Sequence, residues 1–451
     1  MNLKKYTLCL LAACSLQANA QYLEHIYDYI ENTSVFEENQ EEGHAYYLAK
    51  EHLSLNGDWR FFFANTPEEV PQTFFQTNFK DSKWNTIHVP SNWEMEGYGD
   101  AQFRNVPAPF RANPPFVPRD YNPTGAYRKT FTLPSNWKGQ QVFLEKTQSG
   151  SFVWMNGQQV GYNEGGQEPA EYDVTPYLKP GKNVLAVCVV KYCDGYYLEG
   201  QDYWRLAGIF DDVTLYATPK TRLFDWYVTT DLDDQYRDAT LKVQVDVKKY
   251  EDARGSYAVR ATLTDPKGNK VKEMLSERFT MDGKGKKSVE LSSQVSNPDK
   301  WTCETPVLYG LKLELLNESG TVVQEIASKM GFKETEIRHQ TFYLNGKPIK
   351  VNAQNTHMQH PELGHTMNEE TIRKDMEILK QHNFNGVRTS HYPPVNKYLE
   401  LADEYGLYII DEAGTEAHAS EYISNDQRFR EMYLERVQKL VLRDRNHPCV
   451  L

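Results

Sequence analysis

Near residue 336 the hydrophobic period of the chain changes, and that change limits the available folds more than any other feature. Upstream, Leu241, Val243, Val245 and Val247 alternate with Lys242, Gln244, Asp246 and Lys248, the pattern of a strand with one buried and one wet face. Downstream, Glu369–His382 places Ile372, Met376, Ile378 and Leu379 at helical spacing. A strand over Gly386–Ser390, a helix over Asn396–Tyr405 and a strand over Leu407–Ile410 follow. A helix over Arg428–Arg443 then sets Met432, Leu434, Val437, Leu440 and Val441 on one broad apolar face. A short strand is expected at Ile349–Asn352, and Cys449-Val450-Leu451 begins a further one. Strand–helix alternation builds parallel βα units, either a barrel or an open sheet. Three units and the start of a fourth are legible, so the domain is expected to be cut off.

One core does not serve 451 residues, and about three domains are expected. From about residue 50 to 218 the chain reads as all-β. Asn56-Gly57, inside Leu53–Phe61, and Asn156-Gly157, after Phe152–Met155, are hairpin signals. Tyr127, Lys129, Phe131 and Leu133 share one face of a strand. Strands punctuated this closely by turns predict a sandwich or jelly roll. In residues 99–124, Pro107, Pro109, Pro114, Pro115, Pro118 and Pro123 are expected to prevent regular pairing. The aromatics Phe103, Phe110 and Phe116 argue for an ordered loop packed against something. Beyond Pro219, Ala258–Leu263, Ser288–Leu291 and Leu308–Leu316 join the strand at 241–247 in a second sandwich of immunoglobulin size. It carries no cluster of reactive side chains and reads as a spacer.

The formal charge of -12, from 50 Lys+Arg against 62 Asp+Glu, comes with no basic run, which argues against nucleic acid as a partner. An aromatic content of 13%, led by 29 Tyr, suits sandwiches and surfaces that stack on sugar rings. Lys4 and Lys5, the apolar stretch Leu8–Ala13 and the small-x-small site Ala18-Asn19-Ala20 read as an export signal cleaved before Gln21. Leu11-Ala12-Ala13-Cys14 keeps open an alternative in which Cys14 carries a lipid anchor. The apolar run is too short to span a bilayer, and no other segment could. The expected location is periplasmic or extracellular. Cys188, Cys193, Cys303 and Cys449 form neither a disulfide framework nor a zinc motif, and Cys188 reads as a small core residue.

In βα folds the reactive groups gather where strands end. Here the first strand runs into Asn355-Thr356-His357-Met358-Gln359-His360, the second into Arg388-Thr389-Ser390-His391-Tyr392, the third into Asp411-Glu412-Ala413-Gly414-Thr415-Glu416-Ala417-His418. Imidazoles, an arginine and carboxylates thus recur at successive strand mouths, while the opposite loops, such as Asn383-Phe384-Asn385, lack them. Glu416 and His418, two apart in an extended segment, point to the same side and could share a metal ion. The carboxylate suits Mg²⁺; an imidazole is a less usual ligand for it.

Several strings resemble glycoside hydrolase family 2, and within it the β-galactosidases. They are Asn355-x-His357, Val387-Arg388-Thr389-Ser390-His391-Tyr392-Pro393, Gly406–Ala413 and Arg443-Asp444-Arg445-Asn446-His447-Pro448. In the N-terminal half Pro90-Ser91-Asn92-Trp93, Arg104-Asn105-Val106 and Leu198–Phe210 resemble that family's sugar-binding domain. The resemblance implies a jelly-roll domain over 50–219 after a signal peptide at 1–20 and an extension at 21–49. An immunoglobulin-like sandwich over 220–335 and the first part of a TIM barrel over 336–451 complete the expected order. It further implies that Asn105 and Asp202 reach into the barrel mouth, Asp202 near galactose hydroxyls and a bound sodium ion. His357 and His391 match histidines that hold the sugar and support the transition state, with Arg388 in the same motif, and Glu416 and His418 match magnesium ligands. Thr356-His357-Met358 departs from the Arg-His-Glu of many members.

The implied substrate is a β-galactoside oligosaccharide or polysaccharide, cleaved with retention by two carboxylates. In the family the acid/base glutamate follows the His-Pro seen at His447-Pro448, and the nucleophile comes later. The chain, ending at Leu451, is expected to contain neither and to be inactive alone; Glu412 and Glu416 match neither role. The alternatives are a β-glucuronidase or another member of the family, or a non-catalytic carbohydrate-binding fragment. A homo-oligomer is compatible with the sequence.

Overall fold

The computed structural model of the protein describes residues 25–104, 108–146, 150–418 and 420–451. The export segment, Cys14 and Asn105 lie outside the described residues. The first domain is a β-sandwich. Its seven-stranded sheet runs, in spatial order, Glu37–Glu38, Gln158–Asn163, Ser151–Met155, Lys182–Val190, Thr124–Thr132, Gly57–Ala64 and Asn85–Val89. A four-stranded sheet of Ala170–Asp173, Gln141–Lys146, Thr214–Thr218 and His52–Ser54 covers it. Between them lie Trp59, Phe61, Tyr127, Leu144, Val153, Leu185, Val187 and Leu215, all buried. Cys188 is buried on the opposite face, beneath Ile26 and Ile30. Residues of the N-terminal extension therefore belong to the sandwich, supplying an edge strand and part of its second core.

The two Asn-Gly pairs behave differently. Asn156 (φ 54) and Gly157 (φ 86) form the left-handed turn of a true hairpin, with Met155 opposite Gln158. Asn56-Gly57 does not close a hairpin: His52–Ser54 pairs with Thr214–Thr218 in one sheet and Gly57–Ala64 with Thr124–Thr132 in the other. The Asn56 amide accounts for the crossing, since its Oδ1 accepts from Val213 N at 3.0 Å and its Nδ2 donates to Asp212 at 2.7 Å. The proline-rich stretch is also more regular than expected. Gln102–Arg104, ahead of the prolines, pairs with Tyr203–Arg205, and Phe110 packs on Tyr192 at 5.0 Å; Phe103 and Phe116 stay largely exposed.

The second domain stacks Thr221–Leu232, Ala239–Lys249 and Gly285–Val295 on a five-stranded sheet centred on Gly255–Thr264 and Tyr309–Leu316. Leu241, Val243, Val245 and Val247 are fully buried between the two, as their alternation requires.

The third domain opens with a three-stranded meander, Thr335–Arg338, Thr341–Leu344 and Lys347–Pro348. Parallel units follow: β1 (Ala353–Thr356), α1 (Glu369–Gln381), β2 (Gly386–Thr389), α2 (Asn396–Tyr405), β3 (Tyr408–Ile410) and α3 (Arg430–Asp444). The Asn368 side chain caps α1 by accepting from Thr371 N, and Gly406 ends α2 in the left-handed conformation (φ 72). A fourth strand position begins where Ile409 pairs with Val450. β1 lies about four residues beyond the expected Ile349–Asn352. Ile349 and Val351 pack into the core beneath the sheet, whereas the hydrogen-bonded ladder is made by the more polar Ala353–Thr356. Apolar residues mark burial, not the ladder itself.

The face of α3 also differs from expectation. Met432 and Leu440 are buried, but Leu434, Val437 and Val441 are 47%, 46% and 50% exposed. The inward side of the helix carries Arg436, Arg443 and Asp444 instead. Helical periodicity of apolar residues cannot register charged groups that are buried because each finds a partner.

Candidate active site

β1, β2 and β3 are parallel and end at one edge, which brings their C-terminal loops together. Arg388, the third residue of β2, directs its guanidinium to Glu412, just past β3. His391, in the following loop, places Nδ1 2.9 Å from the other Glu412 oxygen. Both carboxylate oxygens of Glu412 are thereby engaged, and Nε2 is the ring nitrogen of His391 left to face a ligand. Glu412 N in turn donates to the Thr389 hydroxyl at 3.0 Å. His357, after β1, lies with its ring 5.8 Å from that of His391, edge to face. Tyr392 OH is 3.4 Å from His357 Nδ1 and accepts from Met358 N at 3.2 Å. Burial, and then the neighbouring His391, hold the His357 imidazole below its ordinary pKa, against the pull of the Asp202 charge.

The sandwich completes the arrangement. Segment 199–205 lies alongside the loop after β3: Gly200 bridges Ala417 in parallel, and His418 N donates to Gly200 O at 3.3 Å. Asp202 is exposed at this junction. Tyr203 is buried with its ring parallel to His357 at 6.1 Å and to His365 at 5.1 Å. Asn92, in the Pro-Ser-Asn-Trp string, accepts from His365 N at 2.7 Å, fastening the loop after β1 to the same domain. The strand preceding Asn105 ends with Arg104 opposite Tyr203.

Glu416 and His418 meet at 3.7 Å between Oε1 and Nδ1, while Glu416 Oε2 is buried without a hydrogen-bond partner among the described residues. An orphaned carboxylate oxygen beside an accessible imidazole is a donor set that a divalent cation fits. Asp202 makes no ion pair among the described residues, leaving its carboxylate available for a cation or a hydroxyl. Behind β3, Asp411 accepts from the Thr389 hydroxyl at 3.2 Å. Burial, and then Asp444, push its carboxyl up to about 8.

Three family models match in succession: the sugar binding domain of glycosyl hydrolases family 2 over residues 52–219, the following family 2 domain over 221–333, and the family 2 TIM barrel domain over 335–451. The chain belongs to glycoside hydrolase family 2. It is 41% identical over 413 residues to a protein of Vibrio vulnificus strain YJ016 named beta-galactosidase, covering 88% of this chain and 39% of that one. A beta-galactosidase of Priestia megaterium is 36% identical over 453 residues, 93% of this chain and 44% of the relative. The chain thus spans about two fifths of the length of these relatives. In fold it resembles a beta-glucuronidase of Bifidobacterium dentium, with TM-score 0.74 at 22% identity over 91% of this chain and 69% of that structure. The architecture is accordingly a family 2 sugar-binding sandwich, an immunoglobulin-like domain and the start of a TIM barrel.

Within this family 2 frame, the structure brings His357, Arg388 and His391 together around Glu412, pairs Glu416 with His418, and lays the segment bearing Asp202 along the latter loop. Sequence reasoning left Glu412, Tyr203, Tyr392 and His365 without a role. Glu412 was legible as a strand-end carboxylate, but its double engagement depends on one side chain from β2 and one from the loop after it. The Arg443–Pro448 string proves to be a joint. Arg445 pairs with Asp225 at 2.5 Å, Asn446 exchanges hydrogen bonds with Val228 N and Trp226 O at 2.9 Å each, and His447 meets Asp403 at 2.6 Å.

Proposed function

We propose that these residues form the N-terminal part of an exported β-galactosidase that releases terminal non-reducing β-galactose with retention. The observation that carries this reading is that His357 and His391 meet within the field of Asp202, whose segment is bridged at Gly200 to the loop bearing the orphaned Glu416 carboxylate. Support also comes from relatives named beta-galactosidase at about 40% identity. In this reading His357 and His391 donate to the sugar hydroxyls from rings whose other faces are packed or bonded. Glu412 is a poor candidate for either catalytic carboxylate, because Arg388 and His391 occupy its two oxygens. The acid/base and the nucleophile, which a retaining enzyme sets roughly 5–5.5 Å apart, are assigned to the part of the family's barrel that this chain does not span.

Glu416 and His418 would hold a magnesium ion and Asp202 a sodium ion. Bound there, such cations supply fixed positive charge near the hydroxyls and the leaving group. The polar groups on these loops would orient the sugar. A glucuronide would bring its own carboxylate to a mouth where the Arg388 guanidinium is already paired with Glu412. That charge balance favours a neutral galactoside over the glucuronidase alternative.

The test is a panel of nitrophenyl glycosides on the protein expressed from its uninterrupted gene. The β-galactoside should be the preferred substrate, His357→Ala should lower kcat/KM by at least a hundredfold, and the 451-residue chain alone should turn nothing over. Preference for the β-glucuronide would overturn the assignment. Export is checked by mass spectrometry of the mature N-terminus, with Gln21 expected first and a lipidated Cys14 as the competing outcome.

A further inference from the structure

Arg436 lies on α3, outside the strand-end loops, and its side chain is 2% exposed. Its guanidinium donates to Gly414 O at 2.5 Å, in the middle of the loop after β3. The same group donates to Glu164 O and Gly195 O of the sandwich at 3.3 Å each, and pairs with Glu199 Oε1 at 2.8 Å. The sandwich is shaped to admit this contact. A Cβ on Gly166 would lie 2.6 Å from the Glu199 carboxylate, and one on Gly195 would lie 2.9 Å from Glu164 and 3.2 Å from Arg436 itself. Along the loop, Glu412 is held by Thr389, and Ala417 and His418 by Gly200. Among the described residues, Arg436 makes the one side-chain hydrogen bond to the span 413–416 that separates them.

We infer that Arg436 is a positioning residue: it clamps the loop carrying Glu412, Glu416 and His418 against the sugar-binding domain, with Glu199 as its counter-charge. This builds on the proposed cation-binding role of Glu416 and His418, which the clamp would pre-organise. A buried guanidinium suits the task because its rigid fork satisfies several acceptors at once, which an ammonium cannot. Partners behind metal ligands commonly govern affinity by about 10–100-fold.

The inference is tested on the 451-residue chain by hydrogen exchange and by Mn²⁺ titration, comparing Arg436→Met, Arg436→Lys and Glu416→Gln. Both Arg436 variants should exchange amides of 412–418 at least tenfold faster while the strands at 124–132 and 182–190 keep their protection. Arg436→Lys, which retains the charge, reports on the fork should Arg436→Met fold poorly. Mn²⁺ affinity should fall about tenfold in the Arg436 variants and be lost in Glu416→Gln. Exchange in 412–418 that stays at the wild-type rate, or that rises evenly over the whole chain, would overturn the clamp. If Glu416→Gln binds Mn²⁺ as wild type does, the cation reading of the site fails, and exchange alone then decides the role of Arg436.

Discussion

At the residue scale, Glu412 and Asp411 stand side by side in the chain and in opposite electrostatic settings. Glu412 accepts from Arg388 and His391 at the mouth; an amide in its place can accept from only one of them. Glu412→Gln should change the hydrogen bonding at His391 Nδ1, which also lies 3.2 Å from the Arg388 guanidinium, read as a changed ¹⁵N imidazole pattern, and on the proposed galactoside reading should weaken binding of a galactose analogue about tenfold, or ~1.4 kcal/mol. An unaltered imidazole spectrum would refute the role. Asp411 faces inward, and its carboxyl titrates near 8 against about 3.9 for an unfolded aspartate. Between those values the folded chain holds the extra proton, so stability falls as pH rises through the window. Asp411→Asn removes that dependence while keeping an acceptor for Thr389. The variant should match wild type only below about pH 4, where Asp411 is protonated in both the folded and the unfolded chain, and should melt at a progressively higher temperature than wild type toward pH 9, as followed by calorimetry.

At the scale of the element, α3 separates apolar sequence from buried surface. Met432 is 1% and Leu440 8% exposed, whereas Val437 is 46% exposed. Met432→Ala should therefore cost about 2–5 kcal/mol, and Val437→Lys should stay within about 0.5 kcal/mol, both measured by denaturant unfolding. Equal losses would mean that the apolar stripe is buried after all. The β-elements were more legible. Strict alternation at 241–247 leaves a single face for the core, and the turn at Asn156-Gly157 needs the positive φ that those two residues tolerate. Asn56-Gly57 misled because its asparagine is committed to Val213 and Asp212, partners about 156 residues away, which no local pattern announces.

For the whole molecule, the three domains are tied by buried charges. Asp225, in the immunoglobulin-like domain, accepts from Ala45 N at 2.9 Å and pairs with Arg445 of the barrel at 2.5 Å. One carboxylate thus joins the N-terminal extension, the second domain and the third. Arg445→Met would strand that carboxylate, and the expected loss is about 3–5 kcal/mol. The unfolding midpoint should drop, with the fluorescence change of neighbouring Trp226 reporting separation of the second and third domains. A midpoint within experimental scatter of wild type would show that apolar contacts alone hold the joint. The spacer reading of the middle domain is accordingly too weak, since it anchors the helix that carries Arg436.

The sequence by itself determined the domain order, the strand periods and the residue types gathered at the strand ends. These follow from local steric preference and from the burial of apolar groups, both written in short stretches of chain. The tertiary structure decided which of those groups meet: the engagement of Glu412, the orphaned oxygen of Glu416, and the docking of segment 199–205 on the loop after β3. Pairings between charged groups hundreds of residues apart leave no periodic trace. Their energy depends on distance and on the exclusion of water, which exist only once the domains have packed.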